Sequence, residues 1–200
     1  LPDDHVEVIP IGDGGEGTAA AILGATGGEI RSASVIGPLG AEVDAEWGLL
    51  SNGKTAVMDM ASASGIELVD PEALDPMTAT TFGTGQLMLA ALDEGAREIV
   101  IGLGGSATID GGTGMAQAIG YRLLDVDGRS CPWGGRGLLE LYTIDGSGVA
   151  PAIARTEILV VCDVTNPLLG ETGAARVYGP QKGATPEMIE RLDRGLTRLA

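Results

Sequence analysis

The sequence predicts a mixed α/β fold, a mixed sheet with α+β character, on three observations. Short apolar runs bounded by glycines read as strands buried on both faces. An Asn-Gly pair between two apolar runs reads as a hairpin. Ala- and Leu-rich stretches between them read as helices. Hairpins interleaved with buried strands and helices argue against a pure doubly wound sheet. At 200 residues the chain suits one compact domain, and such a length buries roughly two-thirds of its unfolded surface.

The elements follow in order. Residues 6–11 alternate apolar and polar and read as a short strand. Asp13-Gly14-Gly15-Glu16-Gly17-Thr18 comes next, then an Ala-rich helix to Ala25, stopped by Gly27-Gly28. Strands are expected over 31–36 and 42–50, joined by the turn Gly37-Pro38-Leu39-Gly40. Asn52-Gly53 marks a hairpin between 47–50 and 55–60. Over 61–81 the periodicity fails, which predicts loop with short helical pieces. A helix over 85–94 carries Leu87, Leu89, Ala91 and Leu92 and ends at Gly95. Residues 98–101 form an apolar strand buried on both faces. A glycine-rich loop precedes a helix near 115–119 and a strand over 121–124 that turns at Asp127-Gly128. Residues 157–162 read as another buried strand. Thr185 as N-cap and Pro186 at the first helical position open the last helix. No repeat or low-complexity linker interrupts the chain.

Charge narrows the function classes. Asp and Glu number 28 against 12 Lys and Arg, giving a formal charge of −16. No basic stripe exists for a nucleic-acid backbone. The same field repels anionic substrates, so a phosphate ester requires backbone N–H groups and a few placed cations. Lys54 and Lys182 are the only lysines. Aromatic residues make up 3% of the chain, too few for base-stacking platforms. Cys131 and Cys162 form no CxxC pair and read as reduced thiols of a cytoplasmic protein. The single histidine, His5, excludes a His-rich metal site. No apolar run reaches the ~18 residues of a membrane span, and no secretory signal opens the chain. Leu1 in place of Met, and Ala200 inside a helical pattern, read as cuts through a longer protein.

The sharpest local signal is Ile101-Gly102-Leu103-Gly104-Gly105-Ser106-Ala107-Thr108, after a strand and before a helix. Glycines let a backbone approach a ligand closely, free N–H groups hold an anion, and the Ser106 and Thr108 hydroxyls add donors. A tight strand-to-helix turn without a ligand is the bland alternative. Gly102-x-Gly104-x-x-Ala107 also fits a dinucleotide fingerprint, with Asp125 about 20 residues on as the ribose acid. The NAD(P) oxidoreductase reading is the weaker one. The inserted Ile109-Asp110-Gly111-Gly112 pushes the helix start away from the glycines, and the run resembles the phosphate loop of galactokinase-like small-molecule kinases.

Other segments carry candidate chemistry. Asp13 and Glu16 between glycines suit Mg²⁺, which takes one or two carboxylates with waters and phosphate oxygens. They equally suit a capping-box-like pair. Asp110-Gly111-Gly112 repeats the Asp-Gly-Gly pattern, for base duty or for helix capping. Gln181-Lys182-Gly183 places a lysine before a helix, as a phosphate or carboxylate binder or a solvated loop residue. Cys162-Asp163-Val164-Thr165-Asn166-Pro167 lies at the end of a strand, where ligand-facing loops gather. An Asx-turn is its alternative.

In order along the chain, these segments resemble class I glycerate kinases. The matches include Pro10-Ile11-Gly12-Asp13-Gly14-Gly15-Glu16-Gly17-Thr18, Gly37-Pro38-Leu39-Gly40, Met60-Ala61-Ser62-Ala63-Ser64-Gly65 and Thr81-Phe82-Gly83-Thr84-Gly85. They continue with Gly102-Leu103-Gly104-Gly105-Ser106-Ala107-Thr108, Cys162-Asp163-Val164-Thr165-Asn166-Pro167-Leu168-Leu169-Gly170 and Gly179-Pro180-Gln181-Lys182-Gly183-Ala184-Thr185-Pro186. Ile109 departs from the family's usual Asn.

The resemblance implies a glycerate-kinase-like, non-Rossmann domain spanning residues 1–200 of a longer two-domain kinase. The Rossmann-like partner, built from N- and C-terminal parts, is then largely absent, and the segment alone is inactive. It implies ATP and Mg²⁺, transfer to a hydroxyl of D-glycerate, and a homo-oligomer as one possible assembly. Gly104, Gly105, Ser106 and Thr108, with Thr84, Asn166 and Gln181, bind phosphate or substrate in this reading. Asp13 and Glu16 hold the metal, Asp13 also serving in catalysis. Asp110 or Asp163 takes the hydroxyl proton, and Lys182 neutralises charge. A non-catalytic folding or dimerisation unit is the remaining alternative.

Overall fold

In chain order, the computed structural model describes residues 11–200 as α1 (Thr18–Thr26), β1 (Gly28–Ile36), β2 (Glu42–Leu50), β3 (Thr55–Asp59), α2 (Ala61–Ser64), α3 (Phe82–Asp93) and β4 (Glu98–Gly102). Then come α4 (Thr113–Ala118), β5 (Arg122–Leu124), β6 (Thr143–Asp145), β7 (Glu157–Val161), α5 (Ala174–Tyr178) and α6 (Pro186–Leu199). Five strands make one sheet in the order β1-β2-β3-β4-β7, while β5 and β6 form a separate antiparallel ribbon.

The sheet is mixed, as the sequence predicts. β1, β2 and β3 run antiparallel, whereas β3, β4 and β7 run parallel. The β2–β3 turn closes on Asn52, whose side-chain oxygen accepts from the N–H groups of Lys54 (2.9 Å) and Thr55 (3.0 Å). Gly53 there takes φ +65, a conformation that disfavours a side chain. In the parallel half, Asp59 pairs with Gly102 and Gly102 with Val161. Three strand ends therefore stop level, and their following loops converge. Loops beyond the carboxyl ends of parallel strands are where α/β sheets build sites.

Two cores hold this arrangement. The first lies between the sheet and α3 and includes Trp47, Met58, Leu87, Met88, Ile99 and Ile101. The second gathers Met77, Ile109, Leu123, Leu138, Leu192 and Leu196 beneath α6. The last helix starts as its sequence implies: Thr185 Oγ1 accepts the Met188 N–H at 3.3 Å, with Pro186 in the first turn.

Two expectations change. The helix placed over 85–94 begins three residues earlier, at Phe82, because Asp110 Oδ2 accepts the N–H of Thr81 at 2.8 Å and stops the chain from distance. The strand over 157–162 forms as β7 but is not buried. Ile158, Leu159 and Val160 are 40%, 55% and 50% exposed, because β7 is the edge strand and no described helix packs substantially over either of its faces. The strand expected near 121–124 forms as β5, in the ribbon. The strand over 6–11 falls, but for its last residue, outside the described residues.

Leu87 is fully buried at the α3–sheet contact. Leu87→Ala should cost about 2–5 kcal/mol through lost transfer energy and an unfilled cavity, read as a lower urea midpoint at unchanged slope.

Candidate active site

At the converging strand ends, three loops are tied by backbone. Gly104 N–H donates to Gly14 O at 2.7 Å, Leu103 N–H to Val161 O at 3.2 Å, and Met60 N–H to Gly102 O at 2.9 Å. On its other side the loop pairs with residues near α2. Ile66 N–H donates to Gly105 O (2.8 Å) and Ala107 N–H to Ser64 O (2.9 Å). The glycines are required by contact: a Cβ at Gly104 would lie 2.6 Å from Gly15 Cα, and one at Gly102 would lie 2.8 Å from Gly14 O. Gly105 has φ +74, and a Cβ there would approach Ala61 Cβ at 3.1 Å and Glu16 Cγ at 3.5 Å.

Lys182 reaches this loop from beneath. It is 6% exposed, and its Nζ donates to Ser106 Oγ and to Thr108 O, both at 2.7 Å. An ammonium has three N–H donors, so one remains for a ligand. Burial pushes the Lys182 pKa down to about 8, partly opposed by the charge of Asp110. Its neighbourhood is open on the loop side. A cleft of about 470 Å³ is lined by Asp13, Gly104, Gly105, Ser106, Asp163, Gln181 and Lys182, with Cys162 and Tyr178 among others. A second hollow of about 410 Å³ shares Ser106, Tyr178 and Lys182 with it and adds Thr84, Thr108 and Asp110.

Asp110 is 1% exposed and accepts four hydrogen bonds, from Thr81 N and Oγ1 (both 2.8 Å), Gly112 N (3.0 Å) and Gly114 N (3.2 Å). It braces the starts of α3 and α4, the capping role open to it in sequence. Burial raises its pKa, and those four bonds oppose the rise. Thr84 is also buried, its hydroxyl 2.8 Å from that of Ser64. Asn166 is exposed and bridges its own loop: it donates to Thr172 O (3.0 Å) and accepts from the Tyr178 hydroxyl (2.7 Å).

The profile of the glycerate kinase family matches residues 1–200. The chain belongs to the glycerate kinase family. The Escherichia coli (strain K12) glycerate 2-kinase is 51% identical over 200 residues, 100% of this chain and 52% of that protein. The Halalkalibacterium halodurans glycerate kinase is 52% identical over 200 residues, 100% of this chain and 53% of that protein. A crystal structure from Salmonella typhimurium LT2, of a candidate glycerate kinase 2, superposes with a TM-score of 0.93 at 52% identity. It covers 100% of this chain and 54% of that one. The chain thus spans about half the length of the curated relatives it matches.

Within this glycerate kinase fold, the dinucleotide reading loses its geometry. Asp125 sits not in the parallel sheet but in the tight turn that follows β5, accepting from Asp127 N (2.9 Å) and Arg129 N (2.8 Å). Gly104 N–H is engaged by Gly14 O, so a phosphate loop would use the N–H groups of Gly105 and Ser106, unpartnered among the described residues. Asp13 and Glu16 do not cap α1. Asp13 Oδ1 accepts from Gly15 N at 3.0 Å and Asp13 lines the cleft, while Glu16 lies beside Gly105 outside the cleft lining. Among the described residues, no three acidic, His or Cys side chains converge as a complete metal cage. One or two carboxylates plus phosphate oxygens is the pattern for Mg²⁺. Tyr178, in the cleft wall, was not singled out by the sequence; nor was Asp59, which accepts from two N–H groups at the start of α1. An isolated acid at a strand end carries no local signal.

Lys182 makes a testable link between pH and stability. Between pH 8 and about 10.5 the unfolded chain still binds the proton that the folded one has released. Stability therefore rises with pH in that window, and below it both states are protonated. Unfolding of the wild type against Lys182→Met should show a relative gain of roughly 3 kcal/mol across the window. A pH-independent difference would mean that the amine titrates normally.

Proposed function

We propose that the intact protein is an ATP-dependent glycerate kinase that phosphorylates a hydroxyl of D-glycerate to phosphoglycerate. The supporting observation is a buried lysine at a glycine-rich phosphate-type loop, in a chain belonging throughout to that family. Phosphoryl transfer needs positioning and charge neutralisation more than covalent chemistry. The N–H groups of Gly105 and Ser106 and the Ser106 hydroxyl bind phosphate oxygens. Lys182 supplies its third N–H and its charge to the transferring phosphoryl group or the substrate carboxylate. Asp163, in the cleft wall, accepts the proton as the glycerate oxygen bonds to the γ-phosphorus and the bond to ADP breaks. Asp110, Thr84, Thr108 and Asn166 hold the loops from behind, and Gln181 borders the substrate.

Mg²⁺ would be held by the Asp13 carboxylate, with Glu16 nearby, and when bound it would neutralise phosphate charge. The segment supplies one wall of the cleft, and a second domain, Rossmann-like in the family resemblance, supplies the other. The exposed apolar faces of β7 support that reading, since parallel strands are ordinarily covered on both sides. No described helix is long and apolar enough to cross a membrane.

The deciding experiment gives the intact protein ATP, Mg²⁺ and D-glycerate and identifies the product by phosphorus NMR. ADP formation should depend on glycerate, and the spectrum assigns the 2- or 3-phosphate. Lys182→Met should lower kcat by about 2–4 kcal/mol of barrier, or roughly 30- to 1,000-fold. ATP binding without glycerate turnover, but with another hydroxy compound phosphorylated, would refute the substrate.

Gly105→Val tests the loop separately. A side chain at φ +74, against Ala61 and Glu16, would displace the phosphate donors. Turnover should vanish while cooperative thermal unfolding persists; near-normal activity would leave the loop a purely structural turn.

A further inference from the structure

Asp59 is the last residue of β3 and pairs with Gly102, where the glycine loop leaves β4. It reaches across to the start of α1. Its Oδ2 accepts Gly17 N–H at 2.8 Å and its Oδ1 accepts Ala19 N–H at 3.0 Å. No local side chain caps that helix, and Gly17 takes φ 87 at the N-cap position. Among the neighbouring donors, Gly15 N–H is held by Asp13 and Thr18 N–H by Gly15 O. Asp59 thus supplies both remaining tertiary acceptors for the turn that ends the Asp13–Gly17 loop.

The grip has an address. Gly17 directly follows Glu16, whose Cγ and Cδ would lie 3.5 and 3.8 Å from a Cβ at Gly105. At the other end of the loop, Gly14 O receives Gly104 N–H. Fixing Gly17 against β3 while Gly14 is fixed against the β4 loop sets Asp13 and Glu16 relative to Gly105 and Ser106. An ordinary cap would not need an acid, because Asn caps helices as well as Asp does. Asn, however, offers one acceptor where two N–H groups point. Burial also works against an acid here: it raises the Asp59 pKa, opposed by the bonds from Ala19 and Gly17, while burial and the charges of Glu67 and Asp59 raise that of Glu16.

We infer that Asp59 is a positioning residue for phosphoryl transfer, its two-oxygen grip on Gly17 and Ala19 holding the acidic loop in register with the glycine loop. This inference rests on the kinase reading above and assigns Asp59 no contact with substrate or metal. In the intact protein, Asp59→Asn keeps the size of the side chain but breaks one of the two bonds; Asp59→Ala breaks both. Hydrogen exchange followed by mass spectrometry should show peptides over 13–19 exchanging about fivefold to tenfold faster in Asp59→Asn, with the sheet unchanged. With D-glycerate as acceptor, kcat should fall at least about tenfold, the glycerate KM should stay within about twofold, and half-saturation by Mg²⁺ should move upward. Asp59→Ala should exceed Asp59→Asn in both readouts.

Unchanged exchange over 13–19 would show that the grip does not exist. Faster exchange with wild-type kcat would show that it does not serve the site. A fall in kcat that merely follows a smaller folded fraction would reduce Asp59 to a stabilising cap. If the wild type itself turns over no glycerate, the kinase reading falls and the catalytic part of this inference with it. The exchange measurement then still decides the grip.

Discussion

The hydrogen bond from Gly104 N–H to Gly14 O, at 2.7 Å, is the constraint on which the site depends. It brings the backbones of two loops into direct contact, which is possible only where neither carries a side chain. At Gly14 a Cβ would lie 2.6 Å from Val161 O, and φ there is +97. Gly102 and Gly104 face Gly14 and Gly15 as closely. The acidic loop, the glycine loop and the end of β7 thereby become one assembly. The contact also consumes a donor: the Gly104 N–H is spent on the scaffold, which leaves the proposed phosphate site the N–H groups of Gly105 and Ser106.

Charge sets the second condition. A chain at −16 opposes the approach of a phosphorylated ligand, so the cation inside the cleft must act at short range. In the proposed function Lys182 fills that role, and burial lowers the dielectric around it, strengthening any ion pair it forms. The same burial lowers its pKa to about 8. A nearby anion favours the protonated form, so ligand binding and protonation of Lys182 reinforce one another. Asp110 already supplies part of that effect from behind, while its own oxygens stay engaged with α3 and α4.

What was legible in the sequence is what local chemistry encodes. The Asn52-Gly53 turn, the stop at Gly27, the Thr185-Pro186 start and the glycine run each follow from φ preferences or from donors a few residues away. What was not legible depends on partners far along the chain. Asp59 caps a helix 40 residues upstream, and Asp110 begins a helix at Thr81 that has no start signal of its own. Asp110 and Asp163 look alike as acids in Gly- or Asn-containing loops. Only tertiary packing separates the buried brace from the carboxylate in the cleft wall.

The strand Glu157–Val161 shows the same limit from the other direction. Its apolar run specifies burial, yet both of its faces are open among the described residues, with Val164 and Leu168 exposed further along the same segment. Apolar side chains on both sides of a parallel strand are stabilised only when both sides are covered. β7 leads straight into Cys162 and Asp163, which line the cleft. The inward side of that connection is fixed by Leu103 N–H on Val161 O, whereas nothing described fixes its outward side. The position of Asp163 over the cleft therefore depends on whatever covers β7. In the proposed two-domain enzyme, covering this edge and completing the cleft are one structural event.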